Sequence, residues 1–325
     1  MAAGSLFPSP TPHVASSCRL AVLISAAVVV SAGLLLFGGL LADNLRRAGN
    51  LPIVAAYGWV AIAALALLAG LGLALAIDYD TGFLWDQSAV ALAHVILGGF
   101  GFMGMLVLGF SHILVPMFAL SAAPARRPAF AGLGLAAAAV LLGTVGALTD
   151  AVWILSAAAI IGLTAAAVHL WLMQNALATG MRKRLGLSFV LIRAAWIMLP
   201  TTLLVGLAVL HGIGGPNGPT LFGFLLIGGW LLTFLLGVLQ RILPFLASMH
   251  ATVSATGTPP LLSELTKSGT LQTHAICHGV ALAVLAVAIM MDSASLVRVG
   301  ASVGLVGALS FSWFTASVIR RILPP

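Results

Sequence analysis

The chain has 325 residues, of which 61% are hydrophobic and 6% charged, with a mean hydropathy of +1.17. An ordinary soluble domain carries about 25% charged residues, so 14 Lys and Arg with 7 Asp and Glu cannot coat a water-facing surface. A soluble enzyme, a DNA-binding domain and a disordered regulator are excluded. The net charge of +7 comes in short clusters between apolar runs, which points to a lipid bilayer as the partner and not to nucleic acid.

A helix crosses the hydrocarbon with about 20 apolar residues, whereas barrel strands alternate apolar and polar positions. The long unbroken apolar runs therefore predict an all-α fold, a polytopic transmembrane helical bundle. The segment 1–19 reads as a proline-rich, irregular tail containing SLFPSPTPH. It lacks the basic n-region and cleavage site of a secretory signal, so the first span is expected to be retained. A single membrane domain over 20–325 follows, with about nine spans at 20–41, 52–77, 88–117, 129–148, 151–178, 187–211, 219–246, 270–291 and 296–319. Thr149 and Asp150 alone mark the boundary between the fourth and fifth. The two cysteines, Cys18 and Cys277, lie in unlike settings and predict no disulfide framework.

The basic residues set the orientation. Arg46 and Arg47 follow the first span, Arg126 and Arg127 the third, and Arg182, Lys183 and Arg184 the fifth. Arg241 and Lys267 flank the segment after the seventh, and Arg320 and Arg321 end the ninth. The other side carries Arg19 and Arg298 with Asp78, Asp80, Asp86, Asp150 and Asp292. The positive-inside rule then places the N-terminus outside and the C-terminus in the cytoplasm, with a bacterial inner membrane as the expected setting.

An internal repeat runs through the third and seventh spans. GFMGMLVLGFSHILVPMFA at 101–119 aligns with GWLLTFLLGVLQRILPFLA at 229–247, matching Gly101 with Gly229, Leu108 with Leu236, Gly109 with Gly237, Pro116 with Pro244 and Ala119 with Ala247. Phe102 stands opposite Trp230. Small residues let helices approach closely in lipid, and Pro near the cytoplasmic end stops or kinks a helix. Both spans run the same way, so the repeat is parallel and about four spans long, unlike the inverted repeats of many transporters.

Ionisable residues within a membrane are costly and mark candidate sites, and this chain holds 8 histidines. His94 lies about 9 Å inside the outer end of the third span, and His112 about 8 Å from its inner end. His169 lies about 13 Å, Arg193 about 9 Å, and His274 and His278 about 6 and 12 Å from the cytoplasmic ends of their spans. The motif H-A-I-C-H puts His274 and His278 on one helical face, a spacing that suits one metal ion, with Cys277 as a further thiolate. Two such residues cannot serve as both axial ligands of one haem; that role needs facing helices, as with His112 or His169 opposite His278. An arginine at that depth, Arg193 or Arg241, can pair with a haem propionate. The competing reading is that these imidazoles pack or hydrogen-bond between helices and that Arg193 snorkels to the surface. His13, His211 and His250 fall in solvent-facing places. The seven tryptophans read as interface anchors or packing.

The stretch AHVILGGFGFMGMLVLGFSHILVPMFALS at 93–121, with GVLQRILPFLASMH at 237–250, resembles segments of membrane proteins related to subunit I of the haem-copper oxidases, including the NnrS group associated with nitric-oxide stress. The resemblance covers about 45 residues. It implies that His94 takes the position of a haem-ligating histidine near the outer end of an inward-running span. It also implies a setting beside respiratory or cytochrome components. The H-P-E-V-Y motif, the adjacent His-His pair and a mid-span acid are all missing from this chain, so the resemblance implies a relative that binds haem or copper without oxidase activity. Haem or copper would be held by His94, His112, His169 and Arg193, and a metal ion by His274 and His278. A permease, or a structural subunit without cofactor, is the reading from another class.

Overall fold

The computed structural model describes residues 12–182, 185–250 and 268–320. The tail 1–11 and the charge markers Lys183, Arg184, Lys267 and Arg321 lie outside the described residues. Those described are helical, without strands, and among them nine helices are long and apolar enough to cross a membrane. They are α1 (Val22–Arg47), α2 (Pro52–Tyr79), α3 (Gln87–Ala119), α4 (Arg126–Leu148), α5 (Val152–Thr179), α6 (Leu187–Leu210), α7 (Gly218–Met249), α8 (Gly269–Met290) and α9 (Ala294–Ile319). The backbone of α1 is already helical from Pro12, inside the segment read as an irregular tail. Proline is tolerated in the first helical turn, where its missing N–H has no intrahelical partner to lose.

Tight turns between helices share one device. Asp150 and Asp292 adopt left-handed backbone conformations (φ 50° and 49°) just past α4 and α8. The following amides reach back, Ala151 N–H to the Gly146 carbonyl at 2.9 Å and Ser293 N–H to the Ala288 carbonyl at 3.0 Å. This closes each helix with its last carbonyls satisfied. Short polar side chains tolerate that conformation, so Thr149 and Asp150 suffice to separate two spans.

The chain falls into two compact units. The first holds residues 1–109 and 140–155. In it, a Cβ on Gly58 would lie 2.6 Å from Leu45, one on Gly101 would lie 2.9 Å from Ala64, and one on Gly109 would lie 2.6 Å from the Tyr57 Cβ. Helices α1, α2 and α3 meet through these gaps. The second unit holds residues 110–139 and 156–325. There α6 and α7 touch at Gly237, whose Cβ would lie 2.9 Å from the Ser188 carbonyl oxygen. Helices α8 and α9 meet at Gly300 and Gly307. Ala247, Leu271, Phe314 and Val318 form a buried cluster from α7, α8 and α9.

Two stretches depart from the α-helix. Leu97–Gly104 in α3 and Leu225–Leu232 in α7 are π-helical, each 8 residues long. Such wide turns make up well under 1% of residues and occur often at functional positions. Leu97 to Leu225 and Gly104 to Leu232 are both separated by 128 residues, the offset of the sequence repeat. Phe102 and Trp230 are both buried within them. The first segment packs on α2 and the second on α6, in each case the preceding span. Backbone geometry thus repeats where the sequence repeats. Pro116 and Pro244 lie inside their helices and do not end them; neighbouring groups in a membrane bundle tolerate such interruptions.

Candidate functional site

His94 sits one turn before the first π segment. Its ring lies over Gly72 of α2, where a Cβ would approach Cε1 to 3.0 Å. The imidazole hydrogen-bonds the backbone of Leu68, and its buried Nδ1 has no hydrogen-bond partner. One nitrogen anchored on a carbonyl with the other left open is the arrangement common to metal-ligating histidines.

His112 and His169 meet across α3 and α5. Their ring centroids are 5.5 Å apart and the rings are inclined at 83°, edge to face. Both are buried, at 4% and 3% exposure. Neither ring nitrogen of His169 has a hydrogen-bond partner.

His274 and His278 stack on one face of α8, with centroids 5.9 Å apart and planes inclined at 22°. Each is tied to a different helix. His274 Nδ1–H donates to the Gly307 carbonyl on α9 at 3.1 Å, leaving its buried Nε2 without a partner. His278 Nε2 meets the Thr233 hydroxyl on α7 at 2.8 Å, and that hydroxyl donates to the Gly228 carbonyl at 2.9 Å. The hydroxyl proton is committed to a carbonyl, so His278 Nε2 is the donor toward Thr233. Near-parallel rings place their nitrogens side by side instead of converging. Cys277 also faces α9, its Cβ lying against Gly307, the residue whose carbonyl His274 meets.

Arg193 is exposed, on the stripe of α6 that also exposes Val190 and Ile197. Arg241 is partly buried; its guanidinium donates to the Leu185 carbonyl at 3.5 Å and lies 5.7 Å from the Phe118 ring centroid. His211 pairs with Ser156 at 3.1 Å. His13 and His250 are described by backbone alone.

His112, His169, His274 and His278 thus assemble as two pairs. Among the described residues no group of three or more His, Cys, Asp or Glu is placed to hold one metal ion. His94 and His274 retain an open, oriented nitrogen each.

Two residues were passed over in the sequence. Thr233 carries the link from His278 into the second π segment. Gln240 is buried, at 3% exposure, with both amide atoms lacking hydrogen-bond partners. It stands at the register of His112 in the repeat, so the alignment of 101–119 with 229–247 contained the signal. Comparison with known protein families, with curated proteins and with solved structures finds no match for this chain.

Proposed function

We propose that this integral membrane protein holds haem or copper on histidines within the bilayer. It would serve respiratory-chain or metal handling, or the response to nitric oxide, beside respiratory or cytochrome components in a bacterial inner membrane. The distant likeness to the haem-copper oxidase subunit I relatives belongs to this proposal, as does an orientation with the N-terminus outside and the C-terminus in the cytoplasm. Oxidase activity is not part of it.

The observation that carries the reading is His169. An imidazole at 3% exposure with neither nitrogen hydrogen-bonded leaves a desolvation cost of about 1–3 kcal/mol for each unmatched group. A residue kept only for packing avoids that cost by being apolar. A ligand offsets it by binding the lone pair. His94 and His274 support the same reading, since each has one anchored and one open nitrogen. Arg193, exposed on its helix, serves this reading as a surface anchor and not as a propionate partner.

The test is optical and elemental. Protein purified from a haem- and copper-replete host should show a Soret band or bound copper. Colourless, metal-free protein from that host rejects the proposal.

A further inference from the structure

We infer that Arg182 and Arg241 form a site for the phosphate of an anionic phospholipid headgroup, an inference independent of the metal-holding reading above. Both residues belong to the second compact unit, at the turn where α5 gives way to α6. Arg241 is half-buried on α7. Its guanidinium lies 5.7 Å from the Phe118 ring centroid and reaches the Leu185 carbonyl at 3.5 Å. That contact uses one N–H group, and a guanidinium carries several more in a fixed fork. Among the described residues no carboxylate lies within ion-pair distance of Arg182 or Arg241; the ion pair there is Arg47 with Asp43. The charge close enough to act on Arg241 is a like one, that of Arg182. Arg182 is exposed, but its backbone is pinned. Its N–H donates to the Ala119 carbonyl at 3.1 Å, and the Met181 N–H donates to the Leu120 carbonyl at 3.3 Å. The turn is thereby held against the end of α3.

Two like charges held near each other, one of them partly out of water, favour an anion beside them. The planar fork of arginine matches phosphate oxygens in pairs. The competing reading gives Arg241 a purely structural task, capping the Leu185 carbonyl. A contact of 3.5 Å is long for that purpose, and an uncharged donor would cap the carbonyl without facing the charge of Arg182. The surroundings choose the source of the phosphate. Leu120 and Met181, whose backbones fix the turn, expose their side chains at 51% and 78%. Bare apolar side chains beside two arginines at the ends of spanning helices suit a molecule with an acidic head and a hydrocarbon tail. Basic pockets between spans recognise acidic lipid headgroups in this way. A free phosphate would use the arginines alone and leave the apolar surface wet.

The full chain in detergent micelles is titrated with phosphatidylglycerol and, separately, with phosphatidylcholine, and bound lipid is counted by native mass spectrometry. Phosphatidylglycerol should bind roughly 25-fold more tightly, about 5-fold for each arginine. Arg182→Gln and Arg241→Gln should each lose about 5-fold of that preference. Arg298→Gln, at an exposed arginine in the first turns of α9, should leave it unchanged. Equal binding of the two lipids, or a preference that survives both substitutions, overturns the site. Millimolar inorganic phosphate should not displace the lipid; displacement makes free phosphate the ligand and overturns the lipid assignment. Should Arg241→Gln fail to fold, phosphatidylglycerol with a photoreactive headgroup is cross-linked to the unaltered protein. Adducts within 180–189 or 238–249 support the site, and adducts confined to other segments overturn it.

Discussion

His278 on α8 and Thr233 on α7 are joined by a hydrogen bond of 2.8 Å, and the Thr233 hydroxyl continues to the Gly228 carbonyl inside the second π segment. The chain of bonds ties the eighth helix to the one irregular stretch of the seventh. Thr233→Val keeps the shape of the side chain and removes both bonds. It should lower stability by about 1 kcal/mol, in the range of interhelical hydrogen bonds in membranes, while Thr233→Ser restores most of it. Unfolding in mixed micelles under a denaturing detergent measures both.

The glycines of the repeat set how closely the helices approach. A Cβ on Gly109 would meet Tyr57 at 2.6 Å, and one on Gly237 would meet the Ser188 carbonyl at 2.9 Å. Gly109→Ala and Gly237→Ala should each cost about 1–3 kcal/mol through overpacking. Gly33 and Gly39 of α1 have nothing within 4 Å of that position. Alanine there should change stability by less than about 0.5 kcal/mol. The same unfolding assay separates the two pairs.

Asp86 caps the start of α3. Its carboxylate accepts from the Ser88 hydroxyl at 2.6 Å and the Ala89 amide at 3.0 Å, and those bonds hold its carboxyl below the ordinary aspartate range. The folded value being the lower one, the cap is fully present above the unfolded value of 3.8 and is lost as pH falls through the depressed folded value. The protection factors of the Ala89 and Val90 amides, taken relative to intrinsic exchange at each pH, should therefore fall on acidification below that point. Asp86→Asn, which keeps a cap oxygen but cannot titrate, should flatten the dependence.

Orientation is tested by single cysteines placed in a Cys18→Ser, Cys277→Ser background. Ala123→Cys lies between α3 and α4, beside Arg126 and Arg127, and Gly214→Cys lies between α6 and α7. Intact cells treated with a membrane-impermeant maleimide should label Gly214→Cys and spare Ala123→Cys. The reverse pattern inverts the topology.

Apolar run length was enough to locate the spans. The reading of 52–77 became Pro52–Tyr79 and that of 187–211 became Leu187–Leu210, because in hydrocarbon every backbone group must be paired within the segment and only a helix of the right length does so. Composition could state that much without knowing any neighbour. The repeat was legible too, through Gly101, Gly109 and Pro116 and their counterparts.

What composition could not state depends on which atoms meet. A π segment is a shift in backbone hydrogen-bond register, and Leu97–Gly104 looks in sequence like any apolar helical turn. The pairing of His112 with His169 depends on α3 lying beside α5, and depth along each helix carries no information about lateral position. The unmatched nitrogens of His169, and the separate anchors of His274 and His278, follow from the groups across the interface. Hydropathy is a property of one segment and was decided by the residues themselves; ligand geometry is a property of several, and only packing between the helices decided it.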